Sequence, residues 1–442
     1  MIISRTAVIL TSLIFSYVFW RYIKSYKGSQ RRADVLLVVT YVLSRSGLWF
    51  IFAIYLQHYV TSSDPRLFYQ PMLEHFWSGA VPVRDFYYTY GPFLIPTMLP
   101  FYLLLGRSLA GISLFAILAE VLALGFFLKS ARMLEQRGEI EHSWVRDAMA
   151  VYILNPATLY WTVLQGYHSV VQTTYSMAAF YFLLCDKSTI GYGIGLYSLA
   201  GTKLLAILDW PALLVVRRPH LVKLFVAAIP LLATYIVFQL ITGDVFTGAR
   251  QHINQVSEGN VWYLLTLFSD LHGFYSRFPG NIFPIVFFGG VFLLGFAYWL
   301  KSLRLGLTSF SFQAALGMTT FTISLFFLFS LYTGDYYMPM LMLPASVVVT
   351  CPALRWRNIP VLSLLLVSSL SVVGDVIWTE LGQPLVLLNV FSSSSGSDRL
   401  LAVFWTTSIL VRVTCLVILA QLGLHLTLDK LSPSGPAGNG GV

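Results

Sequence analysis

Residues 108–128 read SLAGISLFAILAEVLALGFFL, with Glu120 as the single charged residue. An α-helix needs about 20 mostly apolar residues to cross a bilayer. Similar runs recur along the 442-residue chain, which is 57% hydrophobic and 11% charged. Soluble domains carry about a quarter charged residues, so this chain has too little charge for a water-facing surface. The sequence therefore predicts an all-α polytopic membrane protein.

The apolar runs predict about 11–13 transmembrane helices in a single domain, residues 1–430, followed by a disordered tail at 431–442. Two apolar pieces, 189–202 and 204–216, are too short to cross singly, and we interpret them as a broken pair that dips in and returns. The full-length spans are expected at 6–20, 35–58, 108–128, 146–163, 169–185, 221–241, 281–300, 308–332, 337–353, 360–378 and 400–421.

Lys and Arg concentrate in alternate, short loops, beginning with the loop after the first span. Such loops face the cytoplasm in most membrane proteins. The rule predicts an external N-terminus and a cytoplasmic C-terminus, in a plasma membrane or an ER membrane. It places two large loops, 59–107 and 242–280, on the extracytoplasmic face. It also explains the net charge of +9 without any nucleic-acid partner.

Loop 59–107 is the richest polar segment of the chain. Phe68, Met72 and Phe76 are spaced to give a short helix one apolar stripe, which predicts a helix lying along the membrane surface. Asp64-Pro65 precedes it, and Arg84-Asp85 follows within an aromatic stretch that ends at Gly91-Pro92. Simpler interpretations are a helix N-cap for Asp64, a local ion pair for Arg84-Asp85, and an interfacial belt for the aromatics.

Charged residues inside the predicted spans need partners, because an unpaired charge in a bilayer is costly. We expect Arg45 to pair with Glu120, and Arg412 to pair with Asp375. Lys203 lies where the two short half-helices meet, and a charge in an apolar segment is a candidate functional residue. The alternative for Lys203 is a side chain that only reaches toward the membrane surface.

The first loop resembles that of the GT-C glycosyltransferases, which use polyprenyl-phosphate sugars. The shared pattern is an Asp after an early helix, a Tyr a few residues on, a Trp-x-Gly-like turn and an aromatic stretch ending in Gly-Pro. The version VRDFYYTYGP at 83–92 is most similar to the mannosyltransferase-like branches. Segments 199–205 with Asp209-Trp-Pro211, and 334–344, resemble the Gly-x-x-x-Lys segment and the late aromatic segment of the same family.

The resemblance implies an enzyme that transfers a hexose, such as mannose, from a polyprenyl-phosphate donor to an extracytoplasmic glycan, lipid or protein acceptor. Asp64 matches the catalytic carboxylate. No organic cofactor is implied, and Asp64-Pro65 replaces the paired acids of many relatives, which leaves a divalent metal as an open question. The candidates for binding the donor phosphate or sugar are Arg84, Asp85, Tyr90, Lys203, Arg250, His252 and Tyr336.

Two other functions have similar sequence features. A transporter or flippase of lipid-linked saccharides would also carry broken helices and intramembrane charges, although no internal repeat is evident here. A saccharide polymerase or ligase of another membrane fold would also carry Arg- and Tyr-rich outer loops. The loop with Arg250 and His252 has a simpler interpretation as a solvated loop. His168, beside Gln165 and Tyr167 at an outer helix end, could reach the same cavity, and its simpler interpretation is a structural residue.

Overall fold

The computed structural model describes residues 2–57, 65–214, 221–243, 289–290, 293, 297, 311–329, 335–354, 358–381 and 396–431. The secondary structure of these residues is helical, without a β-strand, and the backbone bridge between Pro82 and Phe86 is isolated. Most of the predicted span at 281–300, most of loop 242–280 and the predicted tail beyond residue 431 lie outside the described residues.

The α-helices of the described residues are α1 (Ile2–Ser25), α2 (Gln30–Ile51), α3 (Gln70–Trp77), α4 (Leu94–Leu104), α5 (Leu109–Gln136), α6 (His142–Ile153), α7 (Ser169–Leu184), α8 (Ser188–Gly201), α9 (Trp210–Leu214), α10 (Leu221–Thr242), α11 (Phe312–Phe329), α12 (Pro339–Val349), α13 (Asn358–Leu381) and α14 (Gly396–Leu431). Helical turns of π type lie at Phe52–Leu56, Pro65–Tyr69 and Thr158–Leu164, and 3-10 turns lie at Leu204–Asp209 and Asp335–Tyr337.

Several helices are long and apolar enough to cross a bilayer. By length and hydropathy they are Gln30–Tyr55, Leu109–Gln136, Val222–Thr242, Phe312–Phe329 and Thr406–Asp429. Shorter apolar helices lie at Leu94–Leu104, Pro339–Val349 and Asn358–Val372. The chain is therefore an all-α, multi-pass membrane protein, whereas the total of about 11–13 spans stays a prediction.

The predicted span 146–163 is not one continuous helix. Helix α6 ends at Ile153, and a π-helical turn begins at Thr158. Pro156 lies between them; proline has no N–H to donate and restricts the residue before it, which ends the helix. Asn155 Oδ1 then accepts a hydrogen bond of 3.0 Å from the Ala157 amide, which starts the next turn.

The predicted break between the two half-helices falls where expected. Helix α8 ends at Gly201, Thr202 and Lys203 leave the helical conformation, and a 3-10 turn starts at Leu204. Helix α8 packs between α7 and α10. The break therefore exposes the last carbonyl groups of α8 inside the protein, beside Lys203.

The charges inside the spans find partners, one as predicted and one not. Arg45 Nη2 lies 2.7 Å from Glu120 Oε1, which confirms the predicted pair. The expected pairing of Arg412 with Asp375 is wrong, because Arg412 Nη1 lies 2.5 Å from Asp335 Oδ1. Asp335 comes from the 3-10 turn that precedes α12. The sequence indicates how deep a residue of a spanning helix lies in the bilayer, but not which neighbouring segment its side chain faces.

Helices α11 and α14 cross at a pair of glycines. A Cβ atom built on Gly423 would lie 2.6 Å from the Gly317 carbonyl oxygen, and one on Gly317 would lie 2.7 Å from the Gly423 carbonyl oxygen. Small residues let two helix backbones approach closely, which drives much of helix association in membranes. This crossing fixes α14, and hence Arg412, against the rest of the bundle.

Replacing Gly423 by alanine is expected to destabilise the protein by about 1–3 kcal/mol, because the added methyl group meets backbone atoms that cannot move aside. The matched control is Gly125→Ala on α5, where a Cβ meets nothing within 4 Å. Alanine favours a helix over glycine by about 0.5–1 kcal/mol, so Gly125→Ala is expected to be neutral or stabilising. Thermal unfolding of both variants in the same detergent checks the opposite signs, and equal unfolding temperatures would contradict the role of the crossing.

Candidate functional site

The first loop returns onto the broken end of α8. The Gly91 amide donates to the Thr202 carbonyl at 2.8 Å, and the Phe93 amide donates to the Ala200 carbonyl at 2.9 Å. These bonds satisfy carbonyl groups that a helix end leaves without partners. A Cβ on Gly91 would lie 2.4 Å from the carbonyl oxygen of Ala200, so no larger residue fits. The Gly91-Pro92 turn thereby places Tyr90 beside Lys203.

Lys203 lies among aromatic rings from three separate segments. Its Nζ donates a hydrogen bond of 2.9 Å to the Tyr337 hydroxyl. It also lies 5.3 Å from the ring centroid of Tyr90 and 5.6 Å from that of Tyr337, within the range of a cation–π contact. Lys203 is therefore held by the first loop on one side and by the turn Asp335–Tyr337 on the other.

The turn Asp335–Tyr337 links two cations. Tyr337 accepts the hydrogen bond from Lys203, and Asp335 pairs with Arg412. Between them, Tyr336 stacks on Tyr167 with ring centroids 4.7 Å apart and planes 13° apart. One short turn thus joins the break after α8, the segment before α7 and the helix α14.

His168 connects the same rings to the start of α7. Its Nδ1 is hydrogen-bonded to the Tyr69 hydroxyl, at the end of the π-helical turn Pro65–Tyr69. The His168 ring lies 5.0 Å from that of Tyr90 and 6.1 Å from that of Tyr337, the two rings that Lys203 also contacts. We call this assembly the Lys203 cluster; its members are Tyr69, Tyr90, Tyr167, His168, Lys203, Tyr336 and Tyr337.

The structure brings three of the predicted site residues together, namely Tyr90, Lys203 and Tyr336. Tyr336 and Tyr337 lie with ring centroids 4.3 Å apart, so Tyr336 is in the cluster through its neighbour. Asp64, Arg250 and His252 lie outside the described residues, and their roles stay predictions.

Arg84 and Asp85 form a separate, exposed ion pair. Arg84 Nε lies 2.9 Å from Asp85 Oδ1, with side chains 60% and 36% exposed. Asp85 Oδ2 also accepts a hydrogen bond of 2.7 Å from the Val81 amide, which closes the turn at residues 81–85. The hydrogen bonds from Arg84 and from the Val81 amide lower the pKa of Asp85 to about 2. Asp85 is therefore ionised at neutral pH and its contacts stay within residues 81–85, as in the simpler interpretation.

The cluster includes residues that were not among the predicted site residues. Tyr69 lies five positions after Asp64, and Tyr337 follows the predicted Tyr336. Tyr167 and His168 follow Gly166, whose positive φ of 66° marks a tight turn. The resemblance already included the Tyr that follows Asp64 and the late aromatic segment with Tyr337. For Tyr167 and His168 the signal was the turn glycine before them, because glycine adopts a positive φ most easily.

The arrangement suits the recognition of a negatively charged group next to apolar surface. An ammonium group and tyrosine hydroxyls supply charge and hydrogen bonds, and the aromatic rings supply apolar contact. In the described part of the chain, no group of three or more His, Cys, Asp or Glu side chains is placed to hold a metal ion. No family model, no curated protein and no solved structure matches this chain.

Proposed function

We propose that the protein is a membrane glycosyltransferase of the GT-C type, which transfers a hexose such as mannose from a polyprenyl phosphate to an extracytoplasmic acceptor. One observation carries the proposal. The three segments that carry the resemblance, at 83–92, at 199–205 and at 334–344, are distant in sequence and meet at Lys203. We infer from this convergence that the three segments serve one shared site around the ammonium group.

The reaction needs a base, a stabilised leaving group and access for a lipid. In the proposed mechanism the acceptor hydroxyl gives its proton to the Asp64 carboxylate and its oxygen bonds to the anomeric carbon. The bond from that carbon to the phosphate oxygen breaks, and the electron pair leaves on the polyprenyl phosphate. Lys203 stabilises this charge. The resemblance implies inversion of the anomeric centre.

The same proposal fixes the orientation of the chain. In this proposal the N-terminus is external, the C-terminus is cytoplasmic, and the Lys203 cluster lies on the extracytoplasmic side. The supporting observation is the concentration of Lys and Arg in alternate loops. A cysteine-labelling experiment with a membrane-impermeant reagent, on single cysteines placed in loops 26–29 and 78–80, tests the assignment.

Replacing Asp64 by asparagine is expected to lower the transfer rate by about 10²–10⁴-fold, because the amide cannot accept the acceptor proton. The measurement is product formation from a radiolabelled polyprenyl-phosphate mannose by purified protein in detergent. The control is Asp186→Asn, an exposed residue with φ of 62°, which asparagine tolerates. Full transfer by the Asp64 variant would remove this residue from the mechanism.

The same assay separates the alternative functions. A transporter or flippase is the second candidate, because α8 breaks next to a charged residue as transporter helices often do. An enzyme makes product without a sealed membrane, whereas a flippase makes none in detergent and moves lipid-linked saccharide across vesicles. A polymerase or ligase would release product only from a lipid-linked oligosaccharide donor.

A further inference from the structure

We propose that the first turn of α7, through Ser169 and its backbone amides, binds a phosphate group together with Lys203. The inference rests on the proposed function for the identity of the ligand, a polyprenyl phosphate. Lys203 was already a candidate for this phosphate; the new element is the start of α7 with Ser169, which neither the charges nor the motifs of the sequence indicated. Three independent features of the described residues carry it.

The first feature is a helix N-terminus inside the Lys203 cluster. Helix α7 runs from Ser169 to Leu184, and its N-cap residue, His168, makes no side-chain capping bond. The first amides of a helix have no partner within the helix, and the helix dipole adds partial positive charge there. In α7 the Val171 amide donates to the His168 carbonyl at 2.9 Å, so the amides offered to a ligand are those of Ser169 and Val170. Such ends bind phosphate readily in many proteins.

The second feature is a hydroxyl group without a partner. Ser169, the first residue of α7, is 1% exposed, and its Oγ has no hydrogen-bond partner among the residues that the structure describes. Burying a hydroxyl without a hydrogen bond is unfavourable, so such groups in folded proteins usually have a ligand, water or ion. A phosphate oxygen at the start of α7 would satisfy this hydroxyl.

The third feature is the ammonium group that shares the same rings. Lys203 and His168 both lie against Tyr90 and Tyr337, which brings the lysine to the N-terminal end of α7. The bond from His168 Nδ1 to Tyr69 holds the N-cap residue in place. One phosphate could therefore accept hydrogen bonds from α7 on one side and from Lys203 on the other.

The test measures binding without any sugar or turnover. Full-length protein in detergent is titrated with farnesyl phosphate, and with farnesol as the probe that lacks phosphate. Ser169→Ala is expected to weaken farnesyl phosphate binding about tenfold and to leave farnesol binding unchanged, because a hydrogen bond to a charged group is lost. The matched control is Ser188→Ala, the buried first residue of α8, which accepts a bond from Lys223 instead.

A double-mutant cycle with Lys203→Met checks that both groups bind one phosphate. The loss caused by Ser169→Ala is expected to shrink in the Lys203→Met background, because groups that share a ligand are coupled. Unchanged phosphate binding in Ser169→Ala, equal losses for farnesol, or strictly additive losses would each overturn the subsite. Ser169→Cys, which keeps the volume with a weaker donor, gives the same test if the alanine variant does not fold.

Phosphatidic acid is the second phosphate probe. Dependence on Ser169 for farnesyl phosphate alone assigns the subsite to the isoprenoid lipid, and equal dependence for both probes assigns it to lipid phosphates in general. The outcome is separable from the proposed function. Phosphate binding that depends on Ser169, without any sugar transfer, would contradict the proposed glycosyltransferase activity and support the subsite. Sugar transfer that does not depend on Ser169 would contradict the subsite alone.

Discussion

Replacing Glu120 by alanine is expected to destabilise the protein by about 3–5 kcal/mol, the range for breaking a buried ion pair from one side. Glu120 and Arg45 have side chains that are 0% and 3% exposed, and they meet through two bonds, of 2.7 Å and 3.1 Å. Tyr41 and Tyr152 also donate hydroxyl groups to Glu120, at 3.2 Å and 2.9 Å. Alanine would remove this acceptor from both hydroxyls and the only carboxylate that the structure shows paired with the guanidinium, which would keep its neutral acceptors, among them the Ile153 carbonyl.

The matched control is Glu139→Ala. Glu139 lies 3.8 Å from Arg137, and both side chains are about half exposed. Exposed pairs contribute about 0–1 kcal/mol, so this variant is expected to unfold like the parent. Reversible unfolding in a mixed detergent series gives the free energies of unfolding of both variants.

A double variant, Arg45→Met with Glu120→Leu, is expected to recover much of the stability, since apolar replacements remove the desolvation cost of both charges. A loss below 1 kcal/mol in Glu120→Ala would contradict this account.

The Arg45–Glu120 pair could be predicted from sequence because the bilayer restricts the choices. Two opposite charges in predicted spans have few other ways to be neutralised. The same argument led to the wrong partner for Arg412, because Asp335 reaches it from a short turn rather than from a helix at matched depth. The sequence analysis predicted one span at 146–163 and missed the break in it, because hydropathy alone does not show that Pro156 ends a helix.

The candidate site could be predicted in part. Lys203 stood out because it is a charge in an apolar segment, and Tyr90 and Tyr336 because they belong to motifs. Tyr69 and Tyr337 belong to the same motifs but were not selected as site residues. Tyr167 was not selected either, since the chain contains 25 tyrosines and most are expected in interfacial belts. Ser169 carried no signal at all. Its importance depends on the absence of a hydrogen-bond partner after folding, which periodicity and composition do not report.

Replacing Lys203 by methionine is expected to lower the transfer rate by at least about 100-fold, if the protein is the proposed glycosyltransferase. Removing one preorganised donor from a site where negative charge develops typically costs about 10²–10³-fold. Methionine has nearly the length of lysine and an apolar stem, so packing against the rings of Tyr90 and Tyr337 is largely preserved. The variant loses the cation–π contacts, about 0.5–2 kcal/mol, and the hydrogen bond to the Tyr337 hydroxyl, about 0.5–1.5 kcal/mol, so its thermal unfolding is measured beside its activity.

The measurement is the initial rate at saturating and at limiting donor, with Lys187→Met as the control. Lys187 is exposed at the start of α8, at the opposite end of the helix from Lys203. Two roles for Lys203, stabilising the leaving group or only binding the donor, predict different dependences of the rate on donor concentration. Loss of the leaving-group cation lowers the rate at every donor concentration, and a donor with a more acidic leaving group should partly restore it. A Lys203 variant with weaker donor binding and an unchanged saturated rate would make this residue a binding group alone, and the stabilising charge would have to come from elsewhere in the site.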